Sequence, residues 1–391
     1  MTAPLLFSPI KLREITLKNR VVIAPMHQYA SKEGFTTDWH IVNAGRFATG
    51  GAGLVIVEST KVDRRGCGTV GDLGLWNDDF IPGLARVASF IRENGSVPGI
   101  QLGHSGRKAR RFRPWEGGKP LTEEAASKEV SDWDAWELVA PSALAASPTD
   151  PEPRALSHAE VQELVAMWGA AAARADTAGF DVLEIHAAHG YLLHQFLSPV
   201  ANLRNDEYGG SMENRMRFAC EVASAVRANW PENKPLFMRF SVEDDAGWGP
   251  DESVELARAV KPLGVDVIDC SSGGMRGGPV DRGPVTYGYQ VPYSERLRTD
   301  ADIMTMAVGL IVHADHAQAI LASGQADLIA LAREALYNPN WPLDAALKLG
   351  VGEAFDAAPP NAAYWLAKRA ETVTTMEPST YRPAANTSGS N

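Results

Sequence analysis

Cysteine is scarce in this 391-residue chain, and the three cysteines, Cys67, Cys220 and Cys270, lie far apart. No CxxC pair is present, so the spacing typical of structural zinc and of iron–sulfur clusters is missing. A disulfide scaffold is equally disfavoured, because such scaffolds use many closely spaced cysteines. This cysteine usage predicts a cytoplasmic protein.

Long apolar runs are also missing. None approaches the roughly 20 residues that a membrane-spanning helix needs, and the stretch Met1 to Ile10 is too short and too interrupted by proline for a signal peptide. The formal net charge of -11 argues against nucleic acid or an anionic membrane as a partner. With 22% charged and 45% hydrophobic residues, the composition is that of an ordinary globular protein.

Short apolar runs alternate with stretches of helical periodicity along most of the chain. Eight mostly apolar runs are interpreted as the parallel strands of a sheet covered on both faces: 21–25, 53–58, 97–102, 182–186, 236–240, 265–270, 303–308 and 326–332. Between two of these runs, Ser157 and Glu160 form a capping box that opens a long Ala-rich helix. Strands alternating with helices predict an α/β fold, and the count of eight favours a (β/α)8 TIM barrel over a doubly wound sheet.

The regular alternation is interrupted once and then ends. Residues 104–156, after the third strand, are polar and rich in Trp and Pro, and loops of this length usually carry function. We therefore predict a barrel over residues 1–350 with an insertion, or lid, at about 104–156. Residues 351–391 are expected to form a C-terminal extension whose last residues, 387–391, are disordered.

Polar side chains follow the predicted strands at the end where barrel enzymes carry their catalytic groups. The fourth strand ends at His186, and His189 and Tyr191 come directly after it. Two imidazoles three residues apart can bind one oxygen with two N–H donors, and a phenol beside them can deliver a proton. The pattern predicts a site that polarises an oxygen and protonates a neighbouring atom.

Other strand ends predict a phosphorylated planar cofactor. Gly309 and Arg333 follow the last two strands, the usual phosphate position in a barrel, where glycine permits close backbone approach and arginine can clamp. Gln101 can both donate and accept at a ring edge, and Arg239 can stabilise an anionic ring nitrogen. Flavin mononucleotide (FMN) fits this set. No GxGxxG follows an early strand, so a Rossmann site is not supported.

Alternative interpretations remain for each of these residues. His186, His189 and His194 with Glu184 could bind a metal, but no supporting cluster recurs elsewhere, so no metal site is predicted. Either of the first two histidines could be structural, and a lone arginine is often only solvated. A non-flavin barrel, either a metal-dependent lyase or a binding protein, would differ from a flavoprotein in the colour of the purified protein.

Taken together, the motifs carry a family resemblance. The chain resembles the old yellow enzyme family of flavin-dependent ene-reductases, most of all its thermophilic-like subgroup, over about residues 5–350. The motifs are Leu6-Phe7-Ser8-Pro9-Ile10, Leu17-Lys18-Asn19-Arg20, Ala24-Pro25-Met26, Gln101-Leu102-Gly103-His104-Ser105-Gly106-Arg107, His186-Ala187-Ala188-His189-Gly190-Tyr191-Leu192, Phe196-Leu197-Ser198-Pro199 and Tyr208-Gly209-Gly210-Ser211.

The resemblance implies a role for each matching residue. FMN contacts fall on Ala24, Pro25, Met26, His27, Ser59, Gln101, Arg239, Gly309, Ala332 and Arg333. Substrate contacts fall on Tyr29, His186, His189 and, across a subunit interface of a dimer or tetramer, Trp365. The reaction implied is reduction of an activated alkene, such as an enone, aldehyde, maleimide or nitroalkene. NADPH or NADH supplies the hydride through flavin N5, and Tyr191 supplies the proton.

The chain departs from the subgroup at one position and from more distant relatives in another respect. The subgroup usually has a cysteine after Pro-Met, where this chain has His27, so we expect altered flavin potential, half-reaction rates and substrate fit. Related flavin barrels that oxidise amines or reduce dienoyl-CoA are the alternative within the family. Those relatives carry a cysteine-rich cluster after the barrel, and this sequence has none.

Overall fold

A computed structural model describes residues 4–276 and 285–372, so the disorder expected at residues 387–391 lies outside the described residues. Eight parallel strands, numbered here β1 to β8, pair in chain order and close into a barrel. The predicted TIM barrel is thereby confirmed. The strands are β1 (Val21–Ile23), β2 (Leu54–Lys61), β3 (Val97–Gly103), β4 (Val182–Ala187), β5 (Leu236–Ser241), β6 (Val267–Ser271), β7 (Met304–Ala307) and β8 (Leu328–Leu331).

Helices surround the barrel and cover its outer face. They are α1 (Asp38–Thr49), α2 (Ile81–Glu93), α3 (Glu123–Ala126), α4 (His158–Thr177), α5 (Leu192–Leu197), α6 (Met212–Asn229), α7 (Pro250–Val260), α8 (Val291–Asp300), α9 (Ala314–Ala322), α10 (Arg333–Tyr337), α11 (Trp341–Lys348) and α12 (Pro360–Thr372). The predicted capping box is present, because the Ser157 side chain accepts from the Glu160 amide. Within the described ranges, no helix combines the length and apolarity needed to cross a membrane.

Among the strand boundaries that differ from the sequence prediction, those of β1 and β2 bear on the site. β1 ends at Ile23 rather than Pro25, since proline has no N–H to donate to a neighbouring strand. β2 continues three residues past its predicted end and passes through an irregularity between Val57 and Thr60. The extension places the polar residue Lys61 on a barrel strand.

The alternation of side chains along each strand separates two apolar layers. Leu183 and Ile185 of β4 pack outward against the helices, whereas Val182 joins the apolar cluster inside the barrel. A short antiparallel hairpin, Ile10–Leu12 with Ile15–Leu17, adds its buried side chains to that inner cluster. Because period-2 alternation holds, Glu184 and His186 share the inward face of β4 with Val182.

The segment between β3 and α4 is irregular but anchored. It contains helix α3 and a small two-stranded pair, Val139–Ala140 with Arg154–Ala155. Trp136 is completely buried, and its indole N–H donates to the Cys67 carbonyl at 2.9 Å. The segment is therefore fixed to the loop that follows β2.

Candidate active site

The turn after β4 is shaped by two left-handed residues and by neighbouring strand ends. His189 has φ of 59° and Gly190 has φ of 69°. The His189 amide donates to the Ser241 hydroxyl at 2.9 Å, and its carbonyl accepts from the Lys108 ammonium at 2.9 Å. The end of β5 and the segment after β3 thus hold the turn that carries the second imidazole.

The two imidazoles form a directed hydrogen-bond chain. The Ala188 amide donates to His186 Nδ1 at 3.2 Å, which leaves the proton of a neutral His186 on Nε2. That nitrogen lies 3.2 Å from His189 Nδ1, and His189 Nε2 lies 2.8 Å from the Ser271 hydroxyl. Neutral rings in this arrangement both carry an Nε2–H donor.

Both imidazoles are held in the neutral form. Burial lowers the pKa of His186 well below its ordinary value, and the neighbouring His189 and Arg239 lower it further. Burial also lowers the pKa of His189 well below its ordinary value, with Arg239 and His194 as the next causes. At neutral pH the pair therefore offers N–H donors and no net charge.

Tyr191 lies beside this pair. Its ring centroid is 4.9 Å from that of His186 and 6.1 Å from that of His27. Burial raises the pKa of the Tyr191 phenol, and Tyr29 and Asp72 raise it further. The phenol is consequently protonated across the physiological range.

His194 stabilises the turn after β4 and is not hydrogen-bonded to His186 or His189 in the described part of the chain. Its Nδ1 accepts from the Gly190 amide at 2.9 Å, and its Nε2 lies 3.2 Å from an Asp244 carboxylate oxygen. Among residues 4–276 and 285–372, no group of three His, Cys, Asp or Glu side chains is arranged to hold a metal ion.

A buried polar layer lies under the site, inside the barrel. Gln101 Nε2 donates to Glu184 at 2.7 Å, and Arg239 Nε lies 3.2 Å from Asp269. Burial raises the pKa of both carboxyls, and their proximity to each other raises that of Glu184 further. Burial thus favours the protonated form of these carboxyls, while the Arg239 charge opposes it in both.

A cavity of about 590 Å³ opens beside this layer, within the size range of cofactor sites. Its wall includes Arg239, Ser271, Gly309, Ala332 and Arg333. Gly309 is buried with φ of 123°, and a Cβ there would lie 3.0 Å from Gln290 Nε2. The cavity wall therefore includes two arginines and a close-approach glycine, a donor set that fits a phosphorylated flavin.

The residues predicted to line the flavin from β1 come directly after that strand. The Ala24 amide donates to the Leu331 carbonyl at 2.9 Å, which ties this segment to β8. His27 is stacked on Tyr29, with centroids 5.4 Å apart. The His27 ring also contacts the Lys61 ammonium, which in turn donates to the Ser59 hydroxyl.

Trp365 is not brought to this site within one chain. Its side chain is 69% exposed, and it lies on α12. That helix follows the turn Ala354–Ala357, whose Ala357 carbonyl accepts from Lys18 at 2.6 Å, just before β1 begins. This is the opposite end of the barrel from His186, so a contact with substrate requires a second copy and stays a prediction.

Sequence analysis missed several supporting residues. Ser241 and Ser271 hold His189 in place, and Lys61 and Asp72 surround His27. Both serines come directly after predicted strands, Ser241 after the strand that pairs with the histidine strand and Ser271 after the next one along, which is a usable signal. Asp72 lies in a loop and carries no such signal.

The closed barrel, the neutral histidine pair and the phosphate-compatible cavity define the class: an FMN-dependent oxidoreductase built on a TIM barrel. The chain belongs to the NADH:flavin oxidoreductase / NADH oxidase family, whose sequence profile matches residues 5–350. An NADPH dehydrogenase of Geobacillus sp. (strain WCH70) is 42% identical over 350 residues, which cover 88% of this chain and 95% of that enzyme. The NADPH dehydrogenase of Bacillus subtilis (strain 168) is also 42% identical, with the same coverage.

Solved structures agree with this assignment. Morphinone reductase superposes with a TM-score of 0.74 at 28% identity, covering 89% of this chain and 90% of that one. Its complex with tetrahydroNAD superposes with a TM-score of 0.72 at 27% identity, covering 88% and 91%. A 2-naphthoyl-CoA reductase complex has a TM-score of 0.77 at 25% identity, and the superposition covers 91% of this chain but only 53% of that one. FMN as cofactor and a reduced nicotinamide as hydride source follow from the family and these relatives.

Proposed function

We propose that this FMN-dependent NAD(P)H oxidoreductase reduces the C=C bond of activated alkenes such as enones, unsaturated aldehydes, maleimides and nitroalkenes. When bound, FMN supplies the redox chemistry, taking hydride from the nicotinamide and passing it to the alkene. The observation that carries the proposal is the placement of a protonated phenol, Tyr191, 4.9 Å from the neutral ring of His186.

The histidine pair would bind the oxygen of the activating group. The Nε2–H groups of His186 and His189, which meet His189 Nδ1 and the Ser271 hydroxyl in the structure, would turn to the substrate oxygen, and neither neutral ring competes as a cation. Hydride addition to the β-carbon places negative charge on that oxygen, and donors already in position stabilise it. One such donor is typically worth about 2.7–4 kcal/mol at the transition state.

Tyr191 would donate the proton that completes the reaction. Its pKa is raised by burial, so the phenol holds its proton until a strongly basic carbon forms next to it. Positioned general acids of this kind contribute roughly 10²–10⁴-fold to rate. Tyr29, whose ring stacks on His27, would contact the alkene from the other side.

The flavin contacts are part of the same proposal. Gln101 donates one N–H to Glu184, which fixes its amide plane for the pyrimidine edge. Arg239 would face the N1/C2 carbonyl side, balanced by Asp269. Ala24, Pro25, Met26, His27 and Ser59 would line the ring, and Gly309, Ala332 and Arg333 would hold the phosphate.

Isotope labelling tests the reaction directly. An enone is reduced by the holoenzyme in D2O with unlabelled NADPH, and separately in H2O with NADPH deuterated at the transferred position. We expect one deuterium at the α-carbon in the first product and one at the β-carbon in the second. Failure to reduce any member of an enone, maleimide and nitroalkene panel, while NADPH still reduces the flavin, would reject the alkene substrate class.

A further inference from the structure

Lys61 is a lysine without exposed surface next to the catalytic turn. Its side chain is 0% exposed at the end of β2, and that of its partner Asp72 is 1% exposed. A buried ammonium is costly unless every donor is paired. Its Nζ also lies 5.3 Å from the centroid of the Tyr191 ring, so this charge belongs to the active-site region.

Three acceptors surround this ammonium. Nζ lies 3.1 Å from His27 Nε2, 3.1 Å from the Ser59 hydroxyl and 3.4 Å from an Asp72 carboxylate oxygen. An ammonium has three N–H donors and no acceptor, so the three partners match its capacity. Asp72 is itself fixed, because it accepts from the Gly68 amide at 2.7 Å and from the Thr69 hydroxyl at 2.8 Å.

This geometry determines the state of the imidazole at position 27. A nitrogen that accepts from an ammonium carries no proton, so the proton of a neutral His27 is on Nδ1. The ring cannot easily turn, because it stacks on Tyr29 at 14° and meets Tyr191 edge-on at 83°. Among the described residues, Nδ1 makes no hydrogen bond, which leaves its N–H for a ligand.

We propose that Lys61 is a positioning residue that holds His27 as a neutral imidazole with its proton on Nδ1, so that residue 27 offers an N–H donor in the active site. The ligand class it suits is a hydrogen-bond acceptor, either a heteroatom of the flavin ring or an oxygen of the bound substrate. The inference rests on the flavin site but does not depend on which substrate is reduced.

The charges around His27 support this assignment. The titratable groups facing it are Lys61, Asp72, Tyr29, Tyr191 and His186. Burial, and after it the Lys61 charge, lower the pKa of the imidazole to about 4, against an opposing pull from the nearby carboxylate. Asp72 lies 3.9 Å from His27 Nε2, so without the ammonium the two would form an imidazolium–carboxylate pair.

Nitrogen NMR of the FMN-loaded enzyme tests the proposal. The protein is labelled with ¹⁵N-histidine, and the His27 signals are identified by their loss in His27→Gln. In the unmodified enzyme at pH 7 we expect one protonated nitrogen, Nδ1, and one unprotonated nitrogen, Nε2. In Lys61→Met we expect the titration midpoint to rise from about 4, because the Asp72 carboxylate then faces the imidazole without the ammonium, although burial still opposes the charged ring.

A matched control and a second readout make the test specific. Lys18→Met removes another largely buried lysine, one that donates to Ala357 at the far end of the barrel, and should leave the His27 signals unchanged. Below the His27 titration midpoint of Lys61→Met, the bound flavin in this variant should show a more positive midpoint potential than at higher pH, because His27 then carries a positive charge.

Three results would overturn the inference. One is a proton on Nε2 in the unmodified enzyme, the second is a charged His27 at pH 7, and the third is an unchanged His27 titration in Lys61→Met. The measurement on the unmodified enzyme stands even if the variant fails to fold. None of these results depends on alkene turnover, so a failure here is distinguishable from a failure of the proposed function.

Discussion

At the scale of single residues, the site depends on how firmly each imidazole is held. His189 is fixed by its Nε2 contact with Ser271 at 2.8 Å and by the bond from its amide to Ser241. These serines place the donor but would not touch the substrate oxygen. Removing the donor should therefore lower kcat/KM more than removing the serine that supports it.

We expect His189→Ala to lower kcat/KM for an enone roughly 10²–10³-fold, the usual loss for one oxyanion-site donor. Ser271→Ala should cost less, roughly 2- to 10-fold, because a single supporting hydrogen bond contributes about 0.5–1.5 kcal/mol. Steady-state kinetics at saturating NADPH gives both values. A loss in Ser271→Ala equal to that in His189→Ala would show that the serine does more than hold the ring.

At the residue scale, the sequence could place a side chain where it lies near the end of an apolar run. His186, Arg239 and Gln101 all follow apolar runs, so the barrel brings them to one end. Asp72 could not be found this way, because it reaches Lys61 only through the fold of the loop after β2. The departure at His27 was visible in the sequence, but its buried cationic neighbour was not.

At the scale of elements, the turn after β4 needs glycine at position 190. Gly190 has φ of 69°, and a Cβ there would lie 2.4 Å from the Gly274 carbonyl oxygen. Gly210 has a similar φ of 79° but nothing within 4 Å of its Cβ position. Alanine at position 210 would introduce backbone strain alone, whereas alanine at position 190 would introduce both backbone strain and a steric clash.

Gly210→Ala should cost about 1–2 kcal/mol of unfolding free energy, the left-handed penalty alone. Gly190→Ala should cost more and should also slow alkene reduction, because the turn carrying His189 and Tyr191 must shift. Denaturant unfolding together with alkene kinetics on both variants checks this. Equal stability losses with normal turnover in both would contradict the role assigned to the turn.

The insertion after β3 reaches the substrate side of the site. Arg113 donates to the Tyr29 carbonyl at 3.3 Å, and Trp115 meets the Tyr29 ring at 5.6 Å. We propose that this part of residues 104–156 covers the alkene site, as a lid would. Trp115 meets the Tyr29 ring edge-on and is largely exposed, so we expect it to contribute to alkene binding more than to the chemical step.

We expect Trp115→Ala to raise KM for the alkene several-fold with a smaller change in kcat, because the phenol ring of Tyr29 loses its outer neighbour. Trp133→Ala is the matched control within the same insertion, since Trp133 stacks under Arg110 at 3.9 Å and is not in contact with Tyr29. Equal effects of the two substitutions on KM would argue against a covering role for Trp115.

Elements were predicted well where apolar periodicity is strong and poorly where it is weak. All eight barrel strands were located, because their buried faces need continuous apolar runs. Helix α8, Val291–Asp300, was missed because only Val291, Tyr293, Ser294 and Leu297 are buried in a polar segment. The short helices α5 and α10 follow strands directly and have too few turns to show a period.

At the scale of the whole molecule, buried histidines couple stability to pH. The pKa is lowered in His27, His104, His186, His189 and His194, in each case first by burial. A group whose folded-state pKa is depressed stabilises the fold above its unfolded pKa, here 6.5, and loses that contribution as pH falls through the folded value. For His27 the window runs from 6.5 to about 4.

Between pH 7.5 and pH 5.5 the buried histidines should lower the thermal unfolding midpoint of the FMN-saturated protein, whereas the buried carboxyls Glu184 and Asp269, whose pKa values are raised, act in the opposite direction. The His27→Cys variant should lose less over the same interval, because one buried imidazole is gone. Calorimetry at both pH values measures this. An unfolding midpoint that responds to pH equally in His27→Cys and in the unmodified protein would contradict a lowered pKa of His27.

The oligomeric state is also a property of the whole molecule. Trp365 can reach an active site only if another copy supplies it, and we propose a dimer or tetramer on that ground. The sequence suggested this residue through family resemblance alone, and in the described part of the chain its ring meets that of the neighbouring Tyr364, with centroids 5.1 Å apart.

The most direct test concerns Tyr191 and uses anaerobic stopped-flow to follow the two half-reactions separately. In Tyr191→Phe, flavin reduction by NADPH should proceed at close to the normal rate, whereas reoxidation by an enone should slow by roughly 10²–10⁴-fold. An equal effect on both half-reactions, or no effect on reoxidation, would contradict a proton donated by this phenol.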